Sequence, residues 1–232
     1  MRAMTTNTRS ESQTFPFRIE NAFTDQLGGG NPAAIVYLPS LMALPDETLQ
    51  TLAANFNQPM TVFIAPLESD ENTLDSSKNS TISRFGIRWF TPKLEVPLCG
   101  HGTLAAAAAV FRDTYGGAEG PTAIRFEATS GKFLVARKVE EDRVEIEIDS
   151  ETSEALSVEE DVKLRAVLAK ALGEDVPVRY TGRGAGHLGV YALIEIGTLD
   201  LKNLKVNTDA FVSVHPAMSI SHSVDKLRAW VA

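Results

Sequence analysis

Between Arg88 and Phe111 the chain reads RWFTPKLEVPLCGHGTLAAAAAVF, so a carboxylate (Glu95), a thiol (Cys99) and an imidazole (His101) gather at the entry to an alanine-rich segment. A strand-like run that turns through Gly-His-Gly-Thr into a helix leaves the first backbone N–H groups of that helix free at its positive end. A carboxylate or other anion is held at such a point. Gly100 and Gly102 flank His101 and keep Cβ atoms out of a ligand's way. Thr103 caps the helix or bonds the ligand. His101 hydrogen-bonds an anionic substrate, moves a proton, or merely satisfies a carbonyl. Cys99 is either a thiolate nucleophile or base, or a small buried hydrophobe. Glu95 is a general base, an ion-pair partner of Lys93 or Arg88, or a solvated surface charge.

Other motifs carry less. The Gly28-Gly29-Gly30-Asn31-Pro32 turn lacks the Lys-Ser/Thr of a phosphate loop, and its backbone amides or Asn31 are expected to face a cleft. Gly182–Gly186 (GRGAG) lacks dinucleotide-fingerprint spacing and reads as a hairpin loop. The four histidines and single cysteine form no metal-ligand pattern, so no metal is expected. One cysteine also excludes an intramolecular disulfide and a two-thiol mechanism within one protomer.

The whole chain bounds these readings. Its 232 residues suffice for one large domain or two modest lobes, and 44% hydrophobic with 22% charged residues is ordinary for a globular protein. A formal charge of −8 offers no general attraction to nucleic acid or anionic membrane. No apolar run approaches the roughly 18 to 20 residues that span a bilayer. The first fourteen residues have no apolar core and read as a disordered leader rather than a secretory signal. Cytoplasmic residence is the expectation.

Periodicity then places the elements. Strands are expected at Phe15–Phe23, Ala33–Leu38, Pro59–Ala65 and about Thr81–Phe90, with a helix from Pro45 to about Phe56 and a polar loop over Glu68–Ser80. The alanine-rich helix is closed by Gly116-Gly117. Strands follow at Thr122–Ala128, Lys132–Val139 and Arg143–Asp149, then an amphipathic helix over Glu159–Leu172, strands at Val176–Thr181 and Gly189–Ile196, and a helix near Ser223–Trp230. Many short strands with few helices, without regular βαβ alternation, read as an α+β fold.

Three blocks resemble the phenazine-biosynthesis PhzF-like family: ENAFTDQLGGGNPAAIV from Glu20, LAANFNQPMTVF from Leu52, and RWFTPKLEVPLCGHGTLA from Arg88. The resemblance implies the diaminopimelate-epimerase-like fold, two related lobes that each wrap a curved sheet around a central helix, with the active site between them. It implies a homodimer with neither metal nor organic cofactor. It also implies proton shuttling, in which a glutamate removes and returns a proton during an isomerisation while the pair corresponding to Gly100 and His101 holds the substrate. Two departures matter. The family's Ser-Glu-Thr-x-Phe step here reads Pro59-Met60-Thr61-Val62-Phe63, and methionine cannot accept a proton at neutral pH. No Asp-Pro-x-Thr-Gly-Ser segment occurs, so the second lobe is expected to be incomplete.

The expected organisation is a leader over 1–14, an N-terminal lobe over 15–117 and a shortened lobe over 118–232. The expected function is an isomerase-type protein that acts on or binds a small anionic metabolite, with atypical or reduced proton-transfer activity. His101 and Glu95 are the candidate catalytic groups. Asn31, Met60, Thr61, Cys99, Gly100, Gly102 and Thr103 are the candidate substrate-binding residues. A cyclase acting by shape and hydrogen bonding, and a non-catalytic binding or interaction protein, are the alternatives.

Overall fold

The structure, a computed structural model, describes residues 13–24, 26, 28–67, 74–75, 80–115, 121–139, 143–148, 153–173, 177–184, 192–197, 205–211 and 218–222. The chain divides into two compact units at the step from Ile148 to Asp149.

The first unit is a nine-stranded mixed sheet that curls around one helix. Strands β1 (Phe17–Ala22), β2 (Asn31–Tyr37) and β3 (Met60–Pro66) run side by side, with helix α1 (Asp46–Phe56) between β2 and β3 in sequence. The two-residue β4 (Leu74–Asp75) and β6 (Glu95–Val96) both pair with the long β5 (Ser80–Phe90). Beyond β5 come β7 (Ala123–Ala128), β8 (Phe133–Lys138) and β9 (Val144–Glu147). Helix α2 (Gly100–Tyr115) is the axis. Its residues Leu104 to Phe111 are all buried, and it packs against β1, β2, β3, β8 and β9. A helix apolar on every side belongs inside a core, and alanine side chains let a sheet close tightly around it.

Strand alternation separates two faces. Met60, Val62 and Ile64 of β3 and Phe85, Ile87 and Trp89 of β5 join the α2 core. Phe63, Ala65 and Phe90 face the other way, into a smaller cluster with Leu49 and Ala53 of α1.

The expected lobe boundary after Gly117 is corrected. β7 pairs in parallel with β5 from Ile82↔Ala123 to Ile87↔Ala128, so the three strands assigned to the second lobe complete the first unit's sheet. Parallel pairing across a long connection leaves no signature in local sequence.

The second unit has a four-stranded sheet, β10 (Ser153–Ala155), β11 (Val178–Gly184), β12 (Ala192–Ile196) and β13 (Met218–His222), with helix α3 (Val158–Leu172). Ser157 caps α3 in a capping box with Glu160. Leu164, Leu168 and Leu172 meet Ile194 and Ile196 in a separate core. β11 runs through Gly184, so the first three residues of the expected GRGAG loop are strand instead. β4, β6, β10 and β13 were not expected; three of them have two or three residues, too short for a period to register. The leader over 1–12, Gly116-Gly117 and the expected helix near Ser223–Trp230 lie outside the described residues.

Candidate functional site

At the start of α2 the sequence turns abruptly, because β6 ends at Val96 and the helix begins at Gly100. Thr103 N–H donates to the Cys99 carbonyl at 3.0 Å, which makes Cys99 the capping residue. The Thr103 hydroxyl donates to the same carbonyl at 2.8 Å and accepts from the Trp89 indole N–H at 3.1 Å. Thr103 is wholly buried and structural on both counts. Gly102 is forced by contact: a Cβ there would stand 2.9 Å from Val62 Cγ2, 3.1 Å from Met60 Cγ and 3.3 Å from Trp89 Cδ1. Gly100 has more room, its nearest neighbour being Ile148 Cδ1 at 3.6 Å.

The Cys99 sulfur lies 3.2 Å from His101 Nδ1. Burial pushes the thiol up to about 11, while the backbone N–H groups of Gly102 and His101, directed at the sulfur, oppose the rise. Burial lowers His101 below its ordinary value, and the nearby Pro32 carbonyl opposes that more weakly. Thiol and imidazole are therefore both neutral near pH 7. Nε2 of His101 is buried without a hydrogen-bond partner among the described residues. Pro32 also brings the Gly28–Pro32 turn to this point. Gly30 within it, at φ +75°, would place a Cβ 2.3 Å from the Ala22 carbonyl, so only glycine fits.

Glu95 sits elsewhere. It pairs with Phe90, on the α1 face of the sheet, and both its oxygens accept from Arg88, at 2.8 Å from Nε and 2.7 Å from Nη2. Arg88 Nη1 also donates to Asp46 Oδ1 at 2.7 Å, and the Arg88 side chain is 7% exposed. The bonds to Glu95 and then Asp46 hold the Arg88 guanidinium well above its usual range, against the cost of burial. A pocket of about 300 Å³ opens beside this cluster, between Arg88, Glu95, Val96 and the β7–β8 turn at Thr129 and Ser130.

Of the sequence-expected residues, the structure gathers Met60, Cys99, Gly100, His101, Gly102 and Thr103 around the start of α2, and places Asn31 next to Pro32 at the entry of β2. It sets Thr61 apart, wholly buried on the α1 face with its hydroxyl lacking a partner among the described residues. Glu95 shares that face. Two functions went unread in the sequence: Cys99 as cap and neighbour of His101 Nδ1, and Asp46 as an Arg88 partner. The Cys-x-His spacing was a usable signal for the first; Asp46 and Arg88 are 42 positions apart and had none.

The family described as phenazine biosynthesis-like protein (PhzC-PhzF) matches residues 20–223. The chain belongs to that family. A phenazine biosynthesis-like domain-containing protein of Bos taurus is 44% identical over 96 residues, 41% of this chain and 31% of that protein. A protein of Halalkalibacterium halodurans named an uncharacterized isomerase is 33% identical over 138 residues, 60% of this chain and 44% of that protein. The chain thus matches less than half the length of these relatives. A PhzF-family phenazine biosynthesis protein of Enterococcus faecalis superposes with a TM-score of 0.58 at 21% identity, covering 91% of this chain and 70% of that one. One from Bacillus anthracis does so with a TM-score of 0.58 at 20% identity, covering 94% and 71%. At these identities the superpositions establish the fold, which is the expected α+β, diaminopimelate-epimerase-like one.

Proposed function

We propose that this chain is a small-molecule protein of isomerase type whose ligand presents an anionic group to the start of α2, with His101 as its principal contact. The unpartnered, buried Nε2 of His101 carries this reading. A protonated Cys99 thiol donates to Nδ1 and leaves the proton of the neutral imidazole on Nε2, a buried donor with the Pro32 carbonyl nearby. Gly100, whose Cβ would meet nothing nearer than 3.6 Å, leaves room beside it, and no organic cofactor or metal is required for this binding. Of the two candidate proton carriers, His101 is favoured over Glu95, whose oxygens are both engaged by Arg88. Met60, 6% exposed and packed into the α2 core, supplies no base. A positioned base typically contributes about 10²- to 10⁴-fold in rate, so proton transfer is expected to be correspondingly slow. The protein acts as a homodimer.

The same neutral pair would serve a binding protein, and one assay separates the readings. Small carboxylic acids are screened by ligand-observed NMR in D₂O, which reports binding and exchange of C–H protons together. Wild type is expected to bind at least one acid with little exchange, Met60→Glu to gain exchange, and His101→Ala to lose binding. Binding indifferent to His101→Ala would remove the site named here.

A further inference from the structure

We propose that the pocket where β5 passes from one neighbouring strand to another is a binding site for a small primary amine in its ammonium form. This site is additional to the anion site at the start of α2, and no residue of α2 lines it. Strand order creates it. β5 pairs with β7 as far as Ile87↔Ala128 and with β6 from Trp89↔Val96, so the sheet parts between Ala128 and Val96. The β7–β8 turn fixes one rim. Gly131 N–H donates to the Ala128 carbonyl at 2.9 Å, which sets Thr129 and Ser130 at the two central positions of a tight turn. The short β6, with Pro97 directly after it, fixes the other rim. All of these residues belong to the first unit.

The pocket holds about 300 Å³, the small end of the range for ligand sites. Ile87, Trp89, Val96, Pro97 and Ala128 give it apolar walls, which suit a short hydrocarbon or single-ring body.

Charge selects the head group. Arg88 is the one cation of the lining, and it is not open to an anion: Glu95 holds its Nε and Nη2, Asp46 holds its Nη1, and its side chain is 7% exposed. Two carboxylates share that guanidinium, so this cluster keeps a net negative charge. Each Glu95 oxygen takes one bond from Arg88 and retains a second lone pair, and the Glu95 side chain is 38% exposed. An ammonium brings three N–H donors. Glu95 and the hydroxyl groups of Thr129 and Ser130 bring acceptors to the same pocket. A carboxylate in this place would meet Glu95 as a like charge.

The isotope-labelled full chain is titrated near neutral pH with phenethylamine, phenethyl alcohol and phenylacetate, which share an aromatic body and differ in head group. Phenethylamine is expected to shift the backbone amides of Val96, Thr129 and Ser130 and to bind at least about tenfold more tightly than the alcohol. Phenylacetate is expected to leave those amides unmoved. Glu95→Gln removes the charge, and Ser130→Trp fills the pocket from an exposed turn position; each is expected to weaken amine binding by about tenfold or more. His101→Ala is expected to leave amine binding unchanged. Loss of amine binding in His101→Ala would place the amine at α2 and overturn the pocket. Amine binding indifferent to both pocket substitutions, or no amine binding at millimolar concentration, would do the same. Equal shifts of Thr129 and Ser130 with phenylacetate would overturn the ammonium assignment. Should Glu95→Gln unfold the chain by stranding Arg88, Ser130→Trp decides alone.

Discussion

Cys99 and His101 lie in contact, and burial drives them in opposite directions on the pH scale, each toward its neutral form. With a thiol pKa of about 11, roughly a thousandth of Cys99 is thiolate at pH 8, so alkylation by iodoacetamide should be slow in the folded chain and fast in urea. Rapid alkylation without unfolding would contradict the burial of the thiol. The stability consequences have opposite signs. The unfolded imidazole takes up a proton near pH 6.5 while folded His101 resists it, so the unfolded state gains stability as pH falls through that value. The unfolded thiol releases its proton near pH 9 while folded Cys99 keeps it until about 11, so stability also declines as pH rises across that window. Urea midpoints measured from pH 7.5 to 5.5 should fall, and fall less steeply in His101→Gln. A slope unchanged by that substitution would show that other groups set it. The sequence displayed the Cys-x-His spacing but not this polarity, because burial depends on how the sheet closes over the turn.

Among the elements, the junction of β3, β5 and α2 is held by contacts at van der Waals limits. Gly102→Ala forces Val62 and Met60 aside, and overpacking of this kind costs about 1–3 kcal/mol. Denaturant titration should show that loss, and a second change, Met60→Ala, should return part of it, since Met60 Cγ is one of the atoms displaced. Strictly additive losses would mean that the clash is relieved elsewhere. On the opposite face, Arg88 ties β5 to β6 through Glu95 and to α1 through Asp46. Arg88→Met should cost more than Asp46→Asn, because Asp46 is 80% exposed and Arg88 almost fully buried. Equal losses would place the weight on the exposed carboxylate instead. Strands β1, β2, β3 and β5 and helices α1, α2 and α3 were legible from local signals: alternation in β1, apolar runs in β2 and β3, helical spacing in α1 and α3, and the alanine-rich run of α2. Which face a strand residue joins was legible only as alternation; that Glu95 falls on the α1 face and Met60 on the α2 face is fixed by pairing partners distant in sequence.

At the scale of the whole molecule, two cores share no residues. One surrounds α2 and draws on β1, β2, β3, β5, β7, β8 and β9; the other lies between α3 and β12. The α+β class was readable from the run of short strands, and the family from its motifs, whereas the boundary was not. A Gly-Gly step after a long helix resembles a domain border, and the parallel β5–β7 pairing that carries the first unit on to Ile148 spans a helix and a connection. Leu168 tests whether the separate cores are also separate in energy. It is 1% exposed, and its truncation to alanine should cost about 2–5 kcal/mol through lost transfer energy and the cavity left behind. Because none of its core neighbours belongs to the α2 cluster, that cost should fall on the second unit alone. In Leu168→Ala, native-state hydrogen exchange should therefore lose roughly thirty-fold or more of the amide protection in α3, β11 and β12. Protection in β3 and β5, around Val62 and Trp89, should remain at the wild-type level. Equal losses in both sets of strands would make the chain a single cooperative unit and the division at Ile148 one of geometry only.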